Sequence, residues 1–138
     1  MRTSRWLFPL ATITLVGATG IAPATPANAV AVDLLTHLRG SSAYPIATGS
    51  SEYERDSYGR EVDVTVRHVP DLVGTSLVVI VNRHRVGKLT VRKGGYAHRE
   101  WDTERGQAVP SASAGDPVRV RTPDGALVVR GTYQVDPD

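Results

Sequence analysis

The stretch Leu77-Val78-Val79-Ile80-Val81 decides the fold, because it contains five consecutive apolar residues of which four are β-branched. This composition is typical of a strand that is buried on both faces or nearly so. From Ser76 to Thr103 the chain offers two further strand-like segments, separated by turn residues at Asn82-Arg83-His84-Arg85 and Lys93-Gly94-Gly95. The sequence therefore predicts a three-stranded meander at the centre of the protein.

Three-residue loops in both turns place the apolar residues of the meander on one face. With Arg83-His84-Arg85 as the first loop and Lys93-Gly94-Gly95 as the second, Trp101 points inward together with the valines. A shift of one residue would move this indole to the outer face, so the three-residue loops are favoured. The same register predicts a cross-strand ion pair between Lys88 and Glu100.

The rest of the chain predicts further strands around this meander. Residues 61–67 alternate valine with polar side chains, which is typical of a strand with one buried and one wet face. The long segment from Glu104 to Pro117 is rich in glycine and proline, and it predicts a connection that crosses between sheets. Seven or eight short strands without a long helix predict an all-β antiparallel sandwich.

The first residues have the features of an export signal. Arg2 and Arg5 precede an apolar run, which is shorter than the roughly 20 residues of a membrane-spanning helix. A small-x-small cleavage site follows, with Ala27 and Ala29 at its two small positions. The predicted organisation is a signal peptide over 1–29, an N-terminal strand and connecting segment over 30–47, and a β-sandwich domain over 48–138.

Charges in the predicted exported part are balanced. Two of the 16 basic residues, Arg2 and Arg5, lie in the signal, which leaves 14 Lys and Arg against 14 Asp and Glu. A neutral domain lacks the electrostatic footprint of a nucleic-acid-binding protein, so neither a nucleic acid nor, after signal removal, a membrane is the expected partner. The chain has no cysteine, and its core must stabilise it without disulfides.

Several short motifs are spread over nearly the whole predicted exported part. They are Gly40-Ser41-Ser42-Ala43-Tyr44-Pro45, Glu52-Tyr53-Glu54, residues 100–110, Ala114-Gly115-Asp116 and Gly131-Thr132-Tyr133. Together they resemble a group of small secreted actinobacterial β-domains of unassigned activity, and their layout is more distantly similar to chordin-type (CHRD) domains. This resemblance implies a sandwich of immunoglobulin-like or CHRD-like type. It implies no mechanism, since the motifs consist of turn and packing residues.

One combination of side chains has the composition of a metal site. His98, Glu100 and Asp102 alternate along a predicted strand and project from one face, with His84 in the neighbouring turn. A flat sheet face is a poor cage for an ion, and the same side chains also serve as solvated partners of Lys88. A wet surface is therefore the favoured interpretation, and no metal ion or cofactor is expected.

No catalytic arrangement stands out in the sequence. A Gly-x-Ser-x-Gly elbow is absent, and the serines lie in turn-like contexts without a positioned base. Carboxylate pairs such as Glu52 with Glu54 lie on the outward faces of predicted strands, where they are solvated. The chain is accordingly predicted not to be an enzyme.

Two residues of the central strand need a cover. In the predicted register Val78 and Ile80 point away from the core face, and we expect the segment from Val30 to Leu38 to lie over them. Without that cover they form a contact surface for a partner, since exposed β-branched patches mark such sites. Tyr96 is a further candidate, as part of an aromatic platform for a sugar ring.

Three functional hypotheses follow from these observations. The favoured one is a non-catalytic secreted module that acts by binding or as a structural accessory, with an extracellular protein or a cell-wall polymer as its partner. The alternative is a small secreted hydrolase or metal-dependent enzyme that uses His98 with Glu100 or Asp102. The third is a protease inhibitor that presents the segment from Glu104 to Pro117 as an exposed loop.

Overall fold

The computed structural model describes residues 31–137, and this range is all-β. Two short 3₁₀ turns, Pro70–Leu72 and Thr103–Arg105, are the other regular structure found there. No helix in the described range has the length and apolar character needed to cross a membrane. The predicted signal peptide, including Ala27 and Ala29, lies outside the described residues. The all-β antiparallel class predicted from the sequence is confirmed.

Nine strands form one antiparallel sheet in the described range. They are β1 (Val32–Gly40), β2 (Thr48–Arg55), β3 (Arg60–Arg67), β4 (Ser76–Val81), β5 (His84–Thr90), β6 (Ala97–Asp102), β7 (Pro117–Arg121), β8 (Leu127–Thr132) and β9 (Gln134–Val135). Eight of them follow the order β5-β4-β7-β8-β1-β2-β3-β6, and β9 pairs with β1. The sheet is nearly closed, because its end strands β5 and β6 lie beside each other.

Strand β4 contains the apolar stretch that decides the fold. Leu77, Val79 and Val81 are completely buried, whereas Val78 and Ile80 are half-buried. Successive side chains of a strand point to opposite faces. The prediction that Val78 and Ile80 face away from the core is therefore confirmed.

The predicted cover of Val78 and Ile80 is wrong. Strand β1 forms where the sequence predicted a strand, but it pairs with β2, β8 and β9 as a member of the sheet. Strands β7 and β8 separate it from β4. The physical reason is that Leu34 and Leu38 of β1 belong to the buried core. As a strand of the sheet, β1 can point these two side chains into the core, which a cover on the outer side of β4 could not do.

The predicted three-residue loop between β4 and β5 is also wrong. Asn82 and Arg83 form a two-residue turn with positive φ angles of 46° and 66°, and Val81 lies opposite His84. Turns of this hand match the twist of the flanking strands, and asparagine tolerates the left-handed region. A bulge beside Ile80 then inserts one extra residue in β5, so that Leu89 still faces the core.

Strand β6 pairs with β3 and not with β5, so the predicted meander is wrong in its third strand. Trp101 lies opposite Val62 of β3, and the predicted hairpin is reduced to one bridge between Arg92 and Tyr96. The predicted ion pair is wrong for the same reason, because Lys88 lies opposite Val78 and Glu100 opposite Asp63. Strand β3 offers β6 a complete inward face of valines, which the bulged strand β5 cannot match.

Trp101 nevertheless contacts β5 across the sheet opening. The indole is 3% exposed, which confirms its prediction as a core residue. A Cβ atom at Gly87 would lie 2.6 Å from the indole Nε1, so only glycine fits at this position. The Arg99 guanidinium lies 5.0 Å from the ring centroid of Trp101 and donates a hydrogen bond to the Lys88 carbonyl at 2.7 Å. These contacts close the gap between β5 and β6 without a continuous ladder.

The segment from Glu104 to Pro117 connects β6 to β7 within the same sheet, whereas the sequence predicted a connection between two sheets. It leads from one end of the sheet order to a position between β4 and β8. Val109 and Ala112 within it are buried, and the Ala112 N–H donates a hydrogen bond to Tyr53 Oη at 3.3 Å. The middle of this segment is thus attached to the core, unlike the projecting loop of a protease inhibitor.

Two tyrosines fill the interior below this segment. The rings of Tyr53 and Tyr133 lie 6.0 Å apart, and both side chains are buried. The hydroxyls of Tyr133 and Ser51 form a hydrogen bond of 2.7 Å. Burial raises the pKa of the Tyr133 phenol above its ordinary value of 10.0, and the hydrogen bond with Ser51 opposes part of this effect.

The raised pKa of Tyr133 predicts a loss of stability in alkali. As the pH rises through 10.0, the unfolded chain releases the phenol proton while the folded chain keeps it. The free energy of unfolding then falls with pH, by at most about 1.4 kcal/mol per pH unit from this group. Urea unfolding of Tyr133→Phe at about pH 9 and about pH 11 should show a smaller fall than the unchanged protein. The exposed control Tyr58→Phe should behave like the unchanged protein, and equal falls in all three would contradict the prediction.

Candidate contact surface

The uncovered side of β4 lies between two strands that carry basic residues. Val78 is directly opposite Lys88 of β5 on one side and Arg121 of β7 on the other. Ile80 is likewise opposite Arg85 and Arg119. Directly opposite residues of an antiparallel pair have their Cβ atoms about 5 Å apart on the same face. Each apolar residue is thus flanked by two cations.

The row through Ile80 continues over two more strands. Arg119 of β7 lies opposite Arg130 of β8, and Arg130 lies opposite Arg39 of β1. Since neighbouring strands are about 4.8 Å apart, the row from Arg85 to Arg39 follows the curved sheet for roughly 19 Å. We call this surface the basic face; its residues are Arg39, Val78, Ile80, Arg85, Lys88, Arg119, Arg121 and Arg130.

A groove adjoins the basic face where β8 separates from β1. The two strands are paired only at Arg39 and Gly40, and the short strand β9 takes the place of β8 further along β1. The groove has a volume of about 710 Å³, and Arg39, Arg119 and Arg130 are all among its lining residues. Neither of the two ion pairs found among the described residues involves one of these three arginines.

The third candidate contact residue, Tyr96, lies apart from this surface. It follows β5 and precedes β6, and its side chain is 39% exposed. The guanidinium of Arg67, the last residue of β3, lies 5.8 Å from the ring centroid. The structure therefore brings Val78 and Ile80 together with basic residues of β5 and β7, and it places Tyr96 beside β3.

Carboxylates occupy the outward side of β2, β3 and β6. Two rows of directly opposite residues cross these strands, and their members form what we call the acidic face: Glu52, Asp63 and Glu100 in one row, and Glu54, Glu61 and Asp102 in the other. Strand β3 is four positions from β7 in the closed order of eight strands. The two faces accordingly lie on approximately opposite sides of the sheet, and the positive and negative charges on it are segregated.

The residues of the predicted metal set are divided between two contacts on the acidic face. His98 Nε2 lies 2.8 Å from Asp63 Oδ2, while Glu100 and Asp102 approach Glu61 of β3. Ligand oxygens of these three carboxylates lie within 4.8 Å of one another, and His98 does not belong to this group. His84 begins β5 and is exposed.

Each of the clustered carboxylates has protein partners. Asp102 Oδ1 accepts a hydrogen bond from the Glu104 N–H at 2.8 Å and caps the 3₁₀ turn. Glu100 Oε1 forms an ion pair of 3.3 Å with Arg105. Glu61 also makes an interaction within the protein. Asp102 and Glu100 thus have structural partners in the turn that follows β6.

Sequence reasoning missed the arginine row, although one signal for it was present. The alternation Val118-Arg119-Val120-Arg121 indicates a strand with both arginines outward. The sequence does not show that this strand lies beside β4, because the two are far apart in the chain.

Comparison of the chain with protein-family models gives no match, and comparison with curated proteins gives none either.

Proposed function

We propose that this chain is an exported, non-catalytic binding module whose basic face contacts an anionic polymer of the cell wall. The observation that carries the proposal is the register of β4 with its neighbours, which flanks the half-buried Val78 and Ile80 with basic side chains on both sides. Long basic side chains pack their aliphatic parts on such residues and keep their charges in water. The face therefore offers apolar contact and positive charge together.

A polymer fits this face better than a folded protein does. The basic row extends over five neighbouring strands and curves with the nearly closed sheet, which suits a flexible chain with repeated negative charges. Protein interfaces instead depend on aromatic anchors in their buried centre. Of the exposed tyrosines in the described range, Tyr58 lies in the turn between β2 and β3 and Tyr96 precedes β6, so neither supplies such an anchor here.

The predicted export signal and the resemblance to small secreted actinobacterial β-domains support an extracellular setting. They also support the finer proposal that the nearly closed sheet is a sandwich of immunoglobulin-like or CHRD-like type. A domain without cysteine tolerates that setting when its core is dense, and the described core includes two buried tyrosines and Trp101.

The test is sedimentation of the purified protein with insoluble cell-wall material from the producing culture. We expect the protein to sediment with the wall material at low salt and to be released as the salt concentration rises, because the contact depends on exposed charges. Long-chain polyphosphate, a soluble polyanion, should compete by occupying the basic face, whereas dextran, an uncharged polymer of similar length, should not. Sedimentation that is insensitive to both salt and polyphosphate would contradict the proposal.

The alternative of a metal-dependent enzyme is tested by His98→Ala. Under the proposed function this change leaves wall binding unchanged, and stability changes by less than about 1 kcal/mol because His98 and Asp63 form a surface pair. Under the alternative, His98→Ala abolishes zinc uptake, which is measured by calorimetric titration with Zn²⁺. His84→Ala is the matched control. Zinc uptake that is lost specifically with His98 would favour the enzyme.

A further inference from the structure

The groove between β1 and β8 brings together three arginines from three neighbouring strands. Arg130 of β8 lies directly opposite Arg119 of β7 and also directly opposite Arg39 of β1. All three line the same groove, together with His37 and Thr132. Arg119 is partly buried, and the other two arginines are exposed at the groove edge.

This arrangement is unfavourable for the protein alone. Like charges that lie directly opposite each other on a sheet destabilise it, and here two such contacts share Arg130. The two ion pairs among the described residues lie elsewhere, at His98 and at Arg105. A bound anion in the groove would remove the repulsion of all three guanidinium groups at once.

We propose that this groove binds a tetrahedral oxyanion of the phosphate-monoester type. The guanidinium group presents several N–H donors in a rigid plane and forms paired hydrogen bonds with phosphate or carboxylate. A carboxylate has two oxygens in one plane, which a single arginine already satisfies. A phosphate monoester has three terminal oxygens in three directions and a charge close to −2 at neutral pH, and it can accept from three arginines that approach from different strands.

The shape of the groove supports a ligand that enters from outside the sheet. A Cβ atom at Gly131 would collide with Thr36 Oγ1 and the His37 carbonyl, so glycine allows β8 to approach β1 closely beneath the arginines. The β1–β8 ladder stops at Arg39, and the groove opens immediately beyond it. A ligand in the groove lies over the closely packed backbones of β1 and β8. Arg39 approaches it from β1, and Arg119 and Arg130 approach it from β7 and β8.

This inference rests on the proposed function, because the groove is one end of the basic face and would hold a terminal or pendant phosphate group of its polymer. The same chemistry could come from free phosphate, so the experiment uses both sources. Purified protein is titrated with inorganic phosphate, glycerol 3-phosphate, sulfate and succinate at constant ionic strength, with backbone amide NMR signals as the readout. We expect saturable shifts centred on Arg39, Arg119 and Arg130 with the two phosphates, weaker binding of sulfate, and no saturable shift with succinate.

Variants identify the residues that are responsible. Arg130→Gln should weaken phosphate binding about tenfold or more, the loss expected for a charged hydrogen-bonding partner. Arg130→Lys keeps the charge but loses the paired geometry and should also bind more weakly. The control Arg92→Gln removes an exposed arginine outside the groove and should leave binding unchanged.

Three results would overturn the inference: no saturable phosphate binding, equal binding of succinate, or phosphate binding that survives Arg130→Gln. Tighter binding of glycerol 3-phosphate than of inorganic phosphate supports a polymer-borne group as the ligand, and the reverse order supports free phosphate; either order retains the oxyanion site.

Failure of the proposed function is distinguishable from failure of this inference, because it appears as loss of wall sedimentation while phosphate binding persists. Wall sedimentation without phosphate binding overturns the groove site alone.

Discussion

Replacing Arg85 and Lys88 together by glutamate is expected to reduce the affinity of the protein for long-chain polyphosphate about a hundredfold. A basic residue beside an anionic surface contributes about 1 kcal/mol, and each reversal both removes that attraction and adds repulsion. The two residues lie on β5, next to Ile80 and Val78 and outside the groove. The affinity is measured by titration at fixed low salt, since the electrostatic contribution depends on ionic strength.

The matched control for this double reversal is Arg92→Glu with Lys93→Glu. These two residues are exposed in the turn after β5, and their reversal changes the net charge by the same amount. Because they lie away from Val78 and Ile80, we expect a much smaller loss of affinity. Equal losses for the two double variants would mean that net charge, and not the basic face, determines binding.

Trp101→Ala is expected to lower the free energy of unfolding by about 3–5 kcal/mol, the usual loss for a buried aromatic residue. The indole is 3% exposed and fills the space between β5 and β6, where no continuous ladder holds the two strands together. Urea unfolding followed by circular dichroism measures the loss. Tyr96→Ala, close to the same opening but 39% exposed, should lose about 1 kcal/mol or less.

Gly87 provides an internal check on the role of Trp101. Gly87→Ala alone should destabilise the protein by about 1–3 kcal/mol, because the added methyl group collides with the indole. In the Trp101→Ala background the collision is absent, so the same change should cost little. Additive losses of the two changes would contradict the contact between these residues.

Local pattern was enough to predict the strands, but it was not enough to predict all of their partners. The alternating run at 61–67 and the apolar stretch at 77–81 both became strands with the expected inward faces. The partner of β6 was wrong, because β3 and β5 both offer inward apolar residues and the sequence does not distinguish them. That choice depends on how the whole sheet closes, which is a non-local property.

The turn after β4 shows a second limit of the sequence. A two-residue loop and a three-residue loop that differ by one bulge both keep Leu77 and Leu89 on the core side. The burial pattern therefore cannot distinguish them, and the three-residue loop was predicted because it keeps Trp101 inward when β6 pairs with β5. In the structure Asn82 and Arg83 accept positive φ angles, and the bulge in β5 restores the alternation.

The candidate surface was predictable in part for the same reasons. The outward direction of Val78 and Ile80 follows from the alternation within one strand, and the structure confirms it. Arg119, Arg121 and Arg130 come from β7 and β8, which begin 36 and 46 residues after the end of β4. Neither the basic row nor the acidic face is visible until the order of the strands is known.

The central claim is that the outward side of β5, β4, β7 and β8 is the binding face. Backbone amide NMR during titration with long-chain polyphosphate tests it most directly, because each strand reports separately. We expect the largest shifts at Val78, Ile80, Arg119 and Arg130, with residues 61–67 of β3 nearly unchanged. Shifts concentrated on β2, β3 and β6, with β4 and β7 unaffected, would contradict the claim.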